Sequence, residues 1–482
     1  MPFHDLDEHA VAEILACCDI RDVLSFTRVN RQCRILALSK QLWIHLIRDL
    51  EYRGLRDSDP KEHLHTLTTS QLQDLVKHTV LGPRTWSPTC PTPPKIKRDV
   101  VVRFDKPLAR RTSVVLLPGG KYIFLCERWD DLKIVQVATG RRVWIPPSRV
   151  ASWSWDMMDG GDRIVVDFQT YGSSYEKAIH IVEIDLETGD CREALCLPIL
   201  DDVEHPSLHG DFFSICIRTE FAFEASDLLL IINWRTKTYA LLEFPPSFTM
   251  RAVLLPDHVV VTYTETQPTN RRRLLIYSLT SPSLLWRPIH AMPRLLDITS
   301  PQHPTPLITH ALPESPNQVQ ILSLRVYKDP LQHNASVITI YNSAREELLP
   351  NMGFFSRLFS AFGWHNTDAL PYVRYRSALQ SFHFSVNPEC RFRVLAPVRA
   401  AHFSTPPALT LAGYGVDMPL YGSLVFMDAR CEREGVCVVD SEPTREVLQR
   451  RTVDSGHVSP LGVYSSAVVD VGEFEVRVSY FV

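Results

Sequence analysis

Residues 5–50 read DLDEHAVAEILACCDIRDVLSFTRVNRQCRILALSKQLWIHLIRDL, in which short apolar stripes alternate with polar residues. Asp19 stands directly before Ile20, an order typical of an N-cap at the start of a helix. Further on, helical spacing places five apolar residues on one face: Leu42, Trp43, Leu46, Ile47 and Leu50. Helices this short depend on packing against their neighbours more than on intrinsic propensity. The stretch therefore predicts a small module of three packed helices.

After residue 100 the apolar residues change to the alternation of two that is typical of β-strands. The alternation is clearest in residues 132–137, 179–184 and 336–341. Turn sequences recur between such runs at steps of 49, 48 and 44 residues. The threonines that mark these turns are Thr139, Thr188, Thr236 and Thr280. Four strands in about 40 to 50 residues is the period of a β-propeller blade.

Residues 100–482 are therefore predicted to be a large antiparallel all-β body, a β-propeller of six or seven blades. Residues 100–104 are expected to pair with strands near 473–482, because such pairing removes exposed sheet edges. An apolar run follows each repeated turn and predicts a further strand there, as in residues 283–286. No Trp-Asp signature stands at the blade turns, so the propeller would be divergent. A β-sandwich or an open repeat array is the alternative.

The predicted fold class is thus α+β, and the chain divides into three segments. These are a helical module at residues 1–54, a connector at 55–99 and the β body at 100–482. Within the connector, residues 69–80 predict a capped helix. The proline-rich residues 87–94 predict an extended segment, since so much proline fits neither a helix nor a strand.

Composition narrows the class of protein. The net charge of −4 provides no electrostatic footprint for nucleic acid, so no nucleic-acid partner is expected. The 11 cysteines include no Cys-x-x-Cys pair, and several stand in apolar runs, which is typical of a reducing compartment such as the cytoplasm or nucleus. Neither a secretory signal nor a membrane-spanning stretch is apparent, so no membrane partner is expected.

The opening stretch also follows a known family pattern in order. Its matching segments are Leu6-Asp7, Glu13-Ile14-Leu15, Asp22-Val23-Leu24, Val29-Asn30-Arg31 and Leu42-Trp43. Over about 40 residues the chain therefore resembles an F-box, and with its connector and β body it resembles F-box substrate receptors of the large fungal class. The departure is Asp7, where the family usually has proline; either residue can begin a helix.

The resemblance implies a substrate-recognition subunit of an SCF-type ubiquitin ligase. Such a subunit binds a Skp-type adaptor, and through it a cullin scaffold, and recruits an unknown protein substrate through its body. It would be a non-catalytic subunit with no cofactor and no metal. A module this small needs most of its apolar residues for its own core, so apolar residues that it leaves exposed are best explained by a partner. The predicted adaptor-binding residues are Leu6, Ile14, Leu15, Val23, Leu24 and Val29; the alternative is that they form only the core of the module.

Two features of the body are candidates for substrate binding. Arg271, Arg272 and Arg273 lie between two predicted strands and form a basic tip that would suit an acidic or phosphorylated segment. Phe355 and Phe359 stand at helical spacing in an aromatic segment that predicts an amphipathic helix inserted between blades. A solvated loop and a helix packed on the propeller are the ordinary alternatives.

Other functions find less support in the sequence. The chain contains none of the Gly-x-Ser-x-Gly, His-Glu-x-x-His or glycine-rich phosphate-binding motifs of common enzymes. His63 and His65, and Cys431 and Cys437, lack the partners or spacing of a zinc site. The alternatives that remain are a β-propeller scaffold unrelated to ubiquitin ligases and a propeller-fold carbohydrate-active enzyme.

Overall fold

The structure of the chain is a computed structural model. It describes residues 6–56, 62–81, 96–108, 112–127, 131–171, 177–199, 203–218, 227–245, 250–264, 271–291, 302–312, 319–348, 372–386, 391–394, 398–403, 419–420, 423–427, 436–440, 446–448, 457–459 and 467–481. Among these residues, no helix combines the length and the apolar character needed to cross a bilayer.

The N-terminal module has four helices where the sequence predicted three. They are α1 (Glu8–Ala16), α2 (Ile20–Phe26), α3 (Arg31–Ala37) and α4 (Lys40–Tyr52). The additional helix is α3, which begins because the Asn30 side chain accepts a hydrogen bond from the backbone N–H of Cys33 at 2.8 Å. Asp7 starts α1 in the same way, accepting from the Ala10 N–H at 2.7 Å. The aspartate that replaces the usual proline therefore supports the helix, as predicted.

The apolar stripe predicted on α4 forms the centre of the module. All five of its residues are buried, and the indole N–H of Trp43 donates to the Ala37 carbonyl at 3.0 Å. The connector helix α5 (Thr69–Leu81) contributes Leu72 and Val76 to the same core. Thr68 and Gln71 cap α5 reciprocally, which is a capping box. The connector helix is thus a structural part of the module.

The β body consists of seven antiparallel sheets among the described residues. Its first strand, β1 (Ile96–Arg103), begins before the predicted boundary at residue 100. The first three sheets follow in chain order. Sheet 1 contains β2 (Ser113–Leu116), β3 (Tyr122–Glu127), β4 (Asp131–Gln136) and β5 (Arg142–Trp144); sheet 2 contains β6 (Val150–Met157), β7 (Arg163–Tyr171), β8 (Lys177–Asp185) and β9 (Cys191–Ile199); sheet 3 contains β10 (Val203–His209), β11 (Phe212–Arg218), β12 (Asp227–Asn233) and β13 (Thr238–Phe244).

Four further sheets complete the body. Sheet 4 contains β14 (Arg251–Leu255), β15 (His258–Thr264), β16 (Arg272–Ser278) and β18 (Ile308–Ala311), while β17 (Arg287–Pro288) extends sheet 3. Sheet 5 contains β19 (Val319–Lys328), β20 (Ala335–Leu348), β21 (Tyr372–Ser385), β22 (Arg391–Val394) and β23 (Val398–Phe403); sheet 6 contains β24 (Pro419–Leu420), β25 (Ser423–Met427), β26 (Val436–Asp440) and β27 (Glu446–Leu448); sheet 7 contains β28 (His457–Ser459), β29 (Ala467–Val471) and β30 (Glu475–Phe481), and β1 joins it.

The pairing of β1 with β30 confirms that the two ends of the β body meet in one sheet. The strands run antiparallel, with Val100 opposite Val478 and Val102 opposite Val476. Consecutive sheets then pack face to face in chain order. Their shared cores join sheet 7 to 1, 1 to 2, 2 to 3, 3 to 4 and 4 to 5. Small antiparallel sheets that pack in this sequence are the organisation of β-propeller blades.

The repeated turns lie where the sequence predicted them in the first three sheets. Each joins the third strand of a sheet to the fourth, and Gly140 and Gly189 adopt positive φ there. The turn at Thr280 differs, since residues 283–286 form no strand and the prediction there was wrong. The indole of Trp286 donates to the Leu279 carbonyl at 3.2 Å, so the segment turns back to the residue that follows β16. The fourth strand of sheet 4 is β18 instead.

Candidate functional site

Three of the predicted adaptor-binding residues are exposed on the helical module. Ile14 on α1 is 48% exposed, Leu24 on α2 is 41% exposed and Val29, before α3, is 66% exposed. The sequence analysis missed a fourth, Ile35 on α3, which is 63% exposed. On α3 the buried residues are Cys33 and Ala37, four positions apart, so Ile35 between them faces outward. Recognising Asn30 as the start of a separate helix would have revealed it.

The other predicted adaptor-binding residues lie differently. Leu15 and Val23 are buried in the core of the module, together with Val11. Leu6 is half-buried and packs against that core. Leu15 is one turn after Val11 on α1 and shares its inward face, which Ile14 does not. Leu15 and Val23 therefore hold the helices together, and the expectation that they lie on an exposed face was wrong.

A groove of about 830 Å³ opens beside Leu24. We call it the module groove. Its apolar lining comes from three parts of the chain: the module, the connector helix α5 and a hairpin of the β body. The apolar lining residues are Ile20, Leu24, Leu38, Trp43, Val76, Val80 and Leu331, and the basic residues around them are Arg28, Arg31, Arg34 and Lys77.

Leu331 belongs to the turn between β19 and β20, residues 329–334, which we call the docking hairpin. Its carbonyl accepts from the backbone N–H of Arg21 on α2 at 3.2 Å. Arg53, after α4, donates to the carbonyl of Asp329 at 2.7 Å and pairs with Asp49 at 3.4 Å. The β body therefore holds the helical module through backbone and side-chain bonds together.

His333 of the docking hairpin bridges two carboxylates of the module. Its backbone N–H donates to Asp19 Oδ1 at 2.8 Å, its Nδ1 also bonds this oxygen, and its Nε2 bonds Asp49 Oδ1 at 3.0 Å. The bond to Asp49 raises the pKa of His333 against the opposing effect of burial. Burial is the largest effect on Asp49 and acts to raise its pKa, but the hydrogen bonds and charges of His333 and Arg53 together outweigh burial and lower that pKa. Asp19 thus begins α2 as predicted, with its carboxylate directed to the hairpin.

Two glycines allow the module and the body to approach closely. Gly160 in the β6–β7 turn donates its N–H to the Tyr52 carbonyl at 3.1 Å. Gly54, at a φ of +70°, leaves no room for a side chain, since a Cβ there would lie 2.9 Å from Pro118 Cβ. The end of α4, where Arg53 bonds the docking hairpin, therefore also contacts sheets 1 and 2 of the body.

The candidate substrate-binding arginines do not form one basic tip. Arg271 is exposed, but Arg272 starts β16 with a buried side chain, and burial lowers its pKa to about 10. Arg273 is half-buried in the same strand. Because successive strand residues alternate in direction, three arginines at the start of a strand cannot present one surface. Phe355 and Phe359 lie outside the described residues.

Two carboxyl groups of sheet 2 have shifted pKa values. Asp167 on β7 is fully buried and accepts a hydrogen bond from the Ser154 hydroxyl. Burial raises its pKa to about 7. Asp156 on β6 bonds His209 Nδ1 at 3.1 Å, and this partner lowers its pKa despite burial. Both groups are thus occupied by neighbouring side chains.

One cluster of possible metal ligands occurs among the described residues. His180, Glu193 and Cys196 place their ligand atoms within 4.8 Å of one another. However, His180 Nδ1 bonds Glu193 at 2.7 Å and its Nε2 bonds Thr170 at 3.1 Å. Both ring nitrogens are engaged, so hydrogen bonding accounts for the geometry of the cluster without an ion.

Comparison with known proteins agrees with the geometry of the module. Residues 3–45 match the F-box domain family. No curated protein is significantly similar to the chain in sequence. Among solved structures, the chain is similar to the Cps50 (Swd1) β-propeller domain of Myceliophteria thermophila, at 8% identity and a TM-score of 0.44, over 80% of this chain and 99% of that one. The matched segment spans α1 to α3 and the start of α4, and it includes the exposed residues Ile14, Leu24, Val29 and Ile35. The chain therefore contains an F-box domain at residues 3–45.

Proposed function

We propose that the chain is the substrate-recognition subunit of an SCF-type ubiquitin ligase. Its helical module binds a Skp-type adaptor, and through it a cullin scaffold, while the β body recruits a protein substrate. The observation that carries the proposal is the F-box domain whose helices α1 to α3 expose large apolar side chains. In this role the chain contributes binding and orientation, and the chemistry belongs to other subunits.

The exposed residues support a partner on physical grounds. The module already takes core residues from α5, so it has little apolar surface to spare. Ile14, Leu24, Val29 and Ile35 are nevertheless open to solvent. Burying one such side chain in an interface contributes about 1.5 to 3 kcal/mol. Four such side chains on one small domain therefore favour a protein partner that covers them.

The β body supports a binding role more than an enzymatic one. Asp167, whose pKa burial raises to about 7, is sealed inside the sheets and out of reach of a substrate. The broad β body, joined to the module by the docking hairpin, is suited to presenting a bound protein in a fixed orientation. Cofactor and metal are not required for this role.

The test measures binding of the purified full chain to a purified Skp-type adaptor. Ile14→Asp and Ile35→Asp should each weaken binding by about 10-fold or more, because each removes an apolar contact and buries a charge. Leu285→Asp is the matched control, since Leu285 is 59% exposed on the β body, and it should bind as the wild type does. Failure of the wild-type chain to bind the adaptor at micromolar concentration would refute the proposal.

A further inference from the structure

The module groove combines residues that are far apart in the chain. Ile20 and Leu24 come from α2, Val76 and Val80 come from α5, and Leu331 comes from the docking hairpin of the β body. Leu331 is half-buried and packs on the module core, so it forms part of the groove wall. The F-box domain alone, at residues 3–45, would lack both α5 and this hairpin. The groove therefore exists only in the assembled chain.

All charged residues that line the module groove are basic. Arg28, Arg31 and Arg34 are exposed, and none of them forms an ion pair within the described part of the chain. Lys77 pairs with Asp74 at 3.2 Å, where both side chains are 67% exposed and their attraction is weak. No acidic residue lines the groove. Four cations around an apolar floor favour a partner that brings carboxylates.

The shape of the groove specifies the partner further. A volume of about 830 Å³ with an apolar floor accommodates several side chains from one face of a helix. Carboxylates that flank such an apolar stripe would reach the arginines at the edge of the groove. The expected occupant is therefore an amphipathic helix with an acidic border.

The docking hairpin is held in place before any partner arrives. Arg53 and Arg21 bind its backbone, and His333 links it to Asp19 and Asp49. A binding surface that is already ordered loses little conformational entropy when a ligand binds. Leu331 thus presents a preformed apolar contact beside the cations.

We propose that the module groove binds an acidic amphipathic helix of the adaptor, and that the docking hairpin of the β body completes this second contact. The inference rests on the adaptor function proposed above and extends it. The adaptor then touches the module and the body at once, so substrate-binding and adaptor-binding parts share one interface. The orientation of the β body in the ligase follows from that shared contact.

The experiment measures the affinity of the full chain for a purified Skp-type adaptor at several salt concentrations. Arg31→Glu combined with Arg34→Glu should weaken binding by at least about 10-fold at low salt and reduce the salt dependence. Arg142→Glu combined with Arg192→Glu is the matched control, because it changes the net charge equally at exposed positions of the body. That control should leave affinity and salt dependence unchanged.

A second variant tests the hairpin itself. Leu331→Ala should weaken adaptor binding by about 5- to 10-fold, whereas Leu331→Met, which keeps the apolar contact, should preserve most of the affinity. Thermal unfolding of each variant shows whether the hairpin remains docked. If the wild-type chain binds the adaptor and the charge-reversal pair and Leu331→Ala bind equally well, this inference is wrong while the proposed function stands. If the wild type does not bind, the proposed function itself fails.

Discussion

The helical module and the β body bury their apolar residues in different ways. Each core between consecutive sheets is built from residues of the body alone. The core of the module instead includes Leu72 and Val76 from α5 and contacts Leu331 from the body. Even so, the module leaves Ile14 and Ile35 exposed. The difference teaches that the region which takes part of its core from other segments also exposes apolar side chains, and this is where we place the proposed partner-binding surface.

The strongest test of this comparison separates the core of the module from its surface. Val23→Asp should destabilise the module by roughly 4 kcal/mol or more, because it buries a charge where Val23 is fully enclosed. Hydrogen exchange should then become fast in α1 to α4 while the strands of the body stay protected. Ile14→Asp is the control at an exposed position and should change stability by less than about 0.5 kcal/mol. Equal effects of the two variants would remove the distinction between core and surface.

A second prediction concerns the dependence of the module on the β body. Arg53→Ala removes the donor to the Asp329 carbonyl and the ion-pair partner of Asp49, and should cost about 3 kcal/mol. Limited proteolysis should then cleave the module faster than the body. Arg34→Ala, at an exposed position without an ion pair in the described chain, is the control and should change neither. Unaltered proteolysis of Arg53→Ala would show that the docking hairpin does not stabilise the module.

A third prediction tests a buried group within the body. The pKa of Asp167 is about 7 in the folded state and near 3.8 in the unfolded state, so Asp167 stays protonated to a higher pH in the folded state. Its contribution to stability is therefore complete at low pH and is lost as the pH rises from about 4 to 7. Asp167→Asn should remove this loss, and its stability relative to wild type should rise by up to about 4 kcal/mol between pH 4 and pH 8. Urea unfolding at both pH values measures the difference. A difference that does not change with pH would contradict the assignment.

The smallest predicted effect is at the contact between the two regions. The raised pKa of His333 means that its charge stabilises the docked hairpin fully below about pH 6.5 and that this contribution is lost as the pH rises through the folded value. His333→Gln keeps a hydrogen-bond donor without the charge. Solvent limits the effect, since the His333 side chain is 40% exposed, so the loss should stay under about 1 kcal/mol at pH 6 and vanish at pH 9. A loss that is equal at both pH values would assign the effect to shape instead of charge.

The sequence predicted those elements whose pattern repeats locally. The stripe from Leu42 to Leu50 has a helical period and is buried as expected, and the turns at Thr139 and Thr188 mark blade repeats. Helical spacing did not reveal that Leu15 faces the core and its neighbour Ile14 faces solvent, because in so short a helix several faces are apolar. The contact between His333 and Asp19 joins residues 314 positions apart, which no local pattern reports. The groove completed by Leu331 was missed for the same reason.

Hydrogen exchange of the full chain, with and without saturating purified Skp-type adaptor, tests the central claim most directly. Binding should slow amide exchange in α1 to α3, where Ile14, Leu24 and Ile35 lie, while β9 at Cys191–Ile199 keeps its rate. This result would locate the interface on the F-box domain. Exchange that is slowed only within the β body, or unchanged throughout at saturating adaptor, would contradict the account.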